Sequence, residues 1–90
     1  MPTLQQNEVR EFVLTTLVTE MNIPIERDSL DDDCPIGTNG IDLESLSLVE
    51  LTLRLEREFD ITIPDSDIER IGAMTLGELV EDVVRRREAA

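Results

Sequence analysis

The chain has 90 residues, 40% of them hydrophobic, and a formal charge of −13 from 21 acidic and 8 basic side chains. That length suits one domain spanning residues 1–90 and leaves no space for a second core. The charge argues against a phosphate-binding footprint, so no nucleic acid and no anionic membrane surface is expected as a partner. A basic protein surface is its electrostatic complement, although the same charge also serves plain solubility.

Phe12 and Phe59 are the only aromatic residues, so Leu, Ile and Val must fill the core. Aliphatic residues at helical spacing favour an all-α bundle over a sandwich. Thr3 opens a first helix, with Gln6 placed for a capping box. Val9, Phe12, Val13, Leu17 and Met21 make one apolar stripe, and Asn22 and Pro24 end it.

Residues 22–40 read as a long loop holding Pro24, Pro35, Gly37 and Gly40. Ile23, Ile25, Leu30 and Ile36 are candidates to pin it to the core. The run Asp31-Asp32-Asp33 fails as a calcium loop, because no register supplies both the central Gly and the terminal Glu; it is read as solvated charge. Cys34 is a lone thiol in a chain without histidine. It supports neither an internal disulfide nor a zinc site.

A second helix is expected from Ser45 to Phe59. Apolar residues at 46, 48, 49, 51, 53 and 55 exceed one stripe, so the helix is either buried all round or presents part of its apolar surface to a partner. Glu50, Arg54, Glu56, Arg57 and Glu58 mark its wetter side. Ile61–Pro64 reads as an extended link. Ser66 and Glu69 suggest a capped short helix over Asp67–Ile71, ended by Gly72. Thr75 and Glu78 repeat the capping pattern before the stripe Leu76, Leu79, Val80, Val83 and Val84. Arg85, Arg86 and Arg87 then complement the negative end of that helix. No basic segment with a long apolar core opens the chain, and no run has membrane-spanning length, so a cytoplasmic protein is expected.

Histidine, tyrosine, tryptophan and lysine are all absent. The usual general base near neutral pH and the usual Schiff-base amine are therefore missing. A chain this small also has little room for a substrate cleft. It is expected not to be an enzyme but to carry something. Ser45 is the candidate handle. At a helix start it lies beside unpaired N–H groups and the positive end of the dipole, where a covalently attached phosphate is stabilised. By position alone a helix cap is the simpler reading.

The segment DLESLSLVELTLRLEREFDITIPDSDI, residues 42–68, resembles the core of the acyl and peptidyl carrier protein family. The likeness rests on Glu44-Ser45-Leu46, Val49-Glu50-Leu51, Glu58-Phe59-Asp60 and Ile63-Pro64, with TLGELVEDV resembling the family's last helix. It implies a four-helix bundle with three main helices, a short third helix and a long first loop. It also implies 4'-phosphopantetheine on Ser45, taken from coenzyme A by a phosphopantetheinyl transferase and ending in a thiol that holds an acyl or aminoacyl thioester. Glu44 stands where the family usually has Asp, and Asp42 where it commonly has Gly.

Asp42, Glu44, Leu46, Leu48, Val49 and Glu50 are the expected partner-binding residues. Leu48, three residues from Ser45, is expected partly exposed in an apolar docking patch with Leu46 or Val49, a buried Leu48 being the competing reading. Mixed charge on helix two resembles carriers of nonribosomal peptide or polyketide assembly more than a fatty-acid carrier. The implied chain is a free-standing monomer, served by an adenylation or acyltransferase enzyme and by a condensation or ketosynthase enzyme. An acyl carrier of fatty-acid synthesis and a non-covalent acidic interaction module are the alternatives.

Overall fold

A computed structural model describes residues 3–37 and 40–89. Residues 38 and 39 of the expected long loop lie outside it. Helix α1 spans Leu4–Thr15 and runs on through a π-turn, Thr16–Glu20; α2 spans Ser45–Phe59, α3 Asp65–Gly72 and α4 Leu76–Ala89. The described residues are thus all-helical, as the periodicities predicted, with one 3₁₀ turn at Arg27–Ser29 inside the first loop.

Local chemistry explains two of the helix starts. Thr3 accepts a hydrogen bond from the Gln6 amide at 3.1 Å, while the Gln6 side chain accepts one from the Thr3 amide at 2.8 Å. Thr75 and Glu78 make the same reciprocal pair at α4. Each box satisfies two amides that the helix leaves without a partner. The expected box at Ser66 and Glu69 does not form. Instead α3 starts two residues earlier, after Pro64, with no side-chain cap. Proline at φ −61° sets the chain for helix entry there, and Asp65 and Asp67 place negative charge in the first turn.

The core gathers Val9 and Val13 from α1, Leu17 from the π-turn, Leu51, Leu55 and Phe59 from α2, Ile71 from α3, and the whole α4 stripe. Phe12 and Phe59 meet edge to face, with centroids 5.3 Å apart, a favoured aromatic geometry. Arg87 lies 5.4 Å over the Phe59 ring. The link after α2 alternates as a strand would, burying Ile61 and Ile63 and exposing Thr62 and Pro64. Glu56, expected on the wet side, holds this link: its backbone carbonyl accepts from the Ile61 amide and its carboxylate from the Ile63 amide at 2.8 Å.

The last turn of α4 also differs from expectation. Arg86 is more than a dipole-compensating cation. It donates to the Asp82 carboxylate at 2.6 Å, to Asp67 at 2.9 Å and to the Thr62 carbonyl at 3.2 Å. Asp82 is buried, so its charge requires this partner. The cluster ties α4 to α3 and to the link. The hydrogen bond from Arg86, aided by Arg70, holds the Asp67 carboxyl below its ordinary value. Burial opposes the charge on Arg86, but its two carboxylate partners outweigh that and raise its pKa.

Candidate functional site

The first loop delivers the start of α2 through a set of backbone hydrogen bonds. The Ile36 amide donates to the Met74 carbonyl at 3.0 Å, and the Leu76 amide to Cys34 at 2.9 Å. These fasten residues 34–36 to the turn between α3 and α4. The loop then folds on itself: Ile41 donates to the Pro35 carbonyl at 2.9 Å and Leu43 to the Ile36 carbonyl at 3.1 Å. Ile36 and Ile41 are buried, while Ile23, Ile25 and Leu30 pack against the core more shallowly. All four expected pins therefore touch the core. Gly40 is needed for its bareness, since a Cβ there would run into the Pro35 carbonyl oxygen.

Asp42, which replaces the glycine common in the resembled family, lies at φ 59°. This left-handed region costs side-chain-bearing residues energy but is tolerated best by Gly, Asn and Asp. The departure in sequence thus keeps the backbone geometry that glycine would adopt without strain. The Asp42 amide donates to the Gly37 carbonyl at 2.9 Å, which holds the turn.

Ser45 is exposed at the first position of α2. It is not the cap. That place belongs to Glu44, whose extended backbone (φ −75°, ψ 164°) precedes the helix and whose carbonyl accepts from the Leu48 amide at 2.9 Å. Neither Glu44 nor any other side chain caps the end. The open N–H groups of this first turn, with the dipole behind them, favour an anion. An exposed hydroxyl at that tip therefore fits a phosphodiester better than a Ser45 engaged in capping would.

The remaining expected site residues divide between two faces of α2. Leu48 is 7% exposed and belongs to the core, correcting its expected place in a docking patch. The reason is periodicity: Leu48, Thr52, Leu55 and Phe59 fall at helical spacing and all face inward. Leu48 also fills the space beside Gly72, where a Cβ would lie 2.9 Å from its Cδ2. Leu46 and Leu53, by contrast, are 83% and 54% exposed, and half-buried Val49 stands between them. Spacings of three and four put these residues on one outer stripe. α2 is therefore not buried all round; part of its apolar surface is presented.

Asp42, Glu44 and Glu50 are exposed near this stripe in sequence. Glu50 pairs with Arg54 at 3.1 Å, whereas Arg57 makes no ion pair among the described residues. The acidic triplet is partly engaged: Asp32 pairs with Arg10, and its carbonyl accepts from the Gly77 amide at 2.9 Å. No cluster of metal-ligating residues occurs among the described residues. No helix there is long and apolar enough to cross a membrane.

Two comparisons with known proteins bear on this site. The family model described as "Phosphopantetheine attachment site" matches residues 11–83. Curated relatives include the acyl carrier protein of Chlorobium luteolum, 30% identical over 83 residues that cover 92% of this chain and 100% of that protein. Those of Chlorobium phaeovibrioides and Chlorobium phaeobacteroides are 29% and 28% identical over the same shares.

Proposed function

Because this chain belongs to the phosphopantetheine-bearing carrier protein family, we propose that Ser45 is its attachment residue. The observation that carries this is the exposed hydroxyl at an uncapped helix tip, in the Glu44-Ser45-Leu46 context. The open amides of the first turn stabilise the phosphodiester, and Asp42 and Gly40 shape the approach. When bound, the group supplies a flexible arm whose terminal thiol holds acyl cargo as a thioester. The chain anchors the arm and presents it to partner enzymes, which supply the acid and base groups. This agrees with its lack of histidine and lysine.

Docking is assigned to the outer face of α2. Leu46, Val49 and Leu53 offer apolar contact, and Glu50, Arg54 and Arg57 give it mixed charge. A partner with an apolar pocket and at least one carboxylate near Arg57 fits that face. This mixture supports a carrier of acyl or aminoacyl intermediates in nonribosomal peptide or polyketide biosynthesis. Its partners there are a phosphopantetheinyl transferase, an adenylation or acyltransferase enzyme, and a condensation or ketosynthase enzyme. The relatives' name, acyl carrier protein, fits a second reading as well, a carrier of fatty-acid synthesis.

Incubation with coenzyme A and a broad-specificity transferase tests the attachment by intact mass. One phosphopantetheine is expected on the native chain and none on Ser45→Ala. A bare native mass returns the chain to a non-covalent interaction module. Loading then separates the two carrier readings: an adenylating enzyme delivering an amino acid supports the first, a malonyl transferase of fatty-acid synthesis the second.

A further inference from the structure

Residues 34–37 of the first loop run antiparallel to residues 72–76, the end of α3 and the turn after it. Pro35 and Thr75 stand opposite each other in a single bridge, flanked by the bonds from Ile36 to Met74 and from Leu76 to Cys34. At one end of this ladder the two backbones meet at a pair of glycines. A Cβ on Gly37 would lie 2.7 Å from the Gly72 carbonyl oxygen. The obstacle is backbone, so no side-chain rotation relieves it. The Gly37 carbonyl, in turn, accepts from the Asp42 amide at 2.9 Å and from the Gly40 amide at 3.2 Å. Gly37 therefore joins the end of α3 to the tight turn that leads through Leu43 and Glu44 into α2. We propose that Gly37 is a positioning residue for the modification of Ser45: its lack of a side chain sets where residues 40–44 sit, and so where the Ser45 hydroxyl points. The inference rests on the attachment reading above.

The packing directs any displacement to the loop. Gly72 cannot retreat freely, because the Leu48 side chain stands behind it: a Cβ on Gly72 would lie 2.9 Å from Leu48 Cδ2. The body of α2 is fixed by Leu48, Leu51 and Leu55, all buried. Ser45, at the first position of that helix and free of capping, takes its orientation from the residues that enter it. Among them Asp42 holds an unfavourable left-handed conformation, φ 59°, and its amide bond to Gly37 offsets part of that cost.

The reaction that depends on this orientation is a phosphoryl transfer. The Ser45 oxygen bonds to the coenzyme A phosphorus nearest the pantetheine. The phosphoanhydride bond breaks, adenosine bisphosphate leaves, and the hydroxyl proton passes to a base on the transferase. A Cβ on Gly37 must move from 2.7 Å to an ordinary contact of 3.4 Å, a shift of about 0.7 Å. A misplacement of about 1 Å costs up to about a hundredfold in rate, so a loss of about tenfold is expected here.

Transferase kinetics on Gly37→Ala, followed by intact mass, test the proposal. The carrier is the substrate, so a variant that is merely partly unfolded presents less usable substrate: apparent KM rises and kcat stays native. A folded variant with a misdirected hydroxyl gives the opposite split. The expected result is kcat lower by about tenfold with KM within about twofold of native. Gly77→Ala is the control. Its methyl is crowded by Asp32, with a Cβ–Cβ distance of 3.0 Å, but at the far end of the ladder from Asp42, and it should keep native kcat and KM. A raised KM at native kcat for Gly37→Ala, native values of both, or an equal kcat loss in Gly77→Ala overturns the positioning role and spares the attachment. A bare mass on the native chain, or label on another residue, overturns both. Should Gly37→Ala not fold, amide exchange on the native chain decides. The Asp42 and Ile36 amides should share one opening, with protection equal to within about tenfold; free exchange at Asp42 beside a protected Ile36 overturns the role.

Discussion

Leu46 and Leu48 are two residues apart on α2, yet the structure gives them opposite roles, and truncating each separates the roles. Leu48→Ala deletes three carbons from a side chain 7% exposed. At about 0.8 kcal/mol per buried methylene the lost transfer energy is about 2.4 kcal/mol. The cavity left beside Gly72 raises the cost to about 3 kcal/mol, inside the range for buried Leu→Ala changes. For a domain of this size that lowers the melting temperature by about 12–24 °C. Leu46→Ala removes the same carbons from a residue 83% exposed, so it forfeits at most about 0.4 kcal/mol of burial. Alanine's better helix propensity offsets part of that. Urea unfolding followed by far-ultraviolet circular dichroism is the suitable assay, since the chain has no tryptophan or tyrosine for fluorescence. Leu46→Ala should unfold with the native chain and lose partner turnover, and Leu48→Ala the reverse when assayed well below its melting point. Equal stability losses at the two positions, or a loss at Leu48 below about 0.5 kcal/mol, would refute the division of α2 into a core face and a docking face.

Three further outcomes are expected. Ser45→Ala should change unfolding free energy by less than about 0.5 kcal/mol, because its hydroxyl makes no cap bond, whereas loss of a true cap costs about 1 kcal/mol; chemical denaturation decides it. Gly40→Ala should cost about 1–3 kcal/mol, since the new methyl meets the Pro35 carbonyl oxygen, and should slow modification of Ser45 by displacing residues 41–44. The Asp67 carboxyl has a lower pKa folded than unfolded, owing first to its hydrogen bond from Arg86. Its stabilisation is therefore complete above the unfolded value near 3.8 and is lost as pH falls below that through the folded value. Urea midpoints measured as the pH is lowered should fall less steeply for Asp67→Asn than for the native chain, and parallel slopes would contradict the ion cluster.

What the sequence determined by itself was local. The capping boxes at Thr3 and Thr75 and the limits of α2 follow from contacts within a turn or two, where residue spacing dictates geometry. The apolar stripe of α4 and the helix start at Ser45 follow from the same residue pattern, and the resemblance singled out Ser45 as an attachment point. Tertiary structure decided matters that depend on residues far apart in the chain. Leu48 is core because Gly72 of α3 comes close enough to cover it. Asp82 can be buried because Arg86 neutralises it while also reaching Asp67 and Thr62, 19 and 24 positions away. Ser45 is left free of capping because the loop, hydrogen-bonded to the turn before α4, brings Glu44 into the cap position with its side chain disengaged. Helical periodicity records which residues share a face; only packing decides which of those faces another element covers.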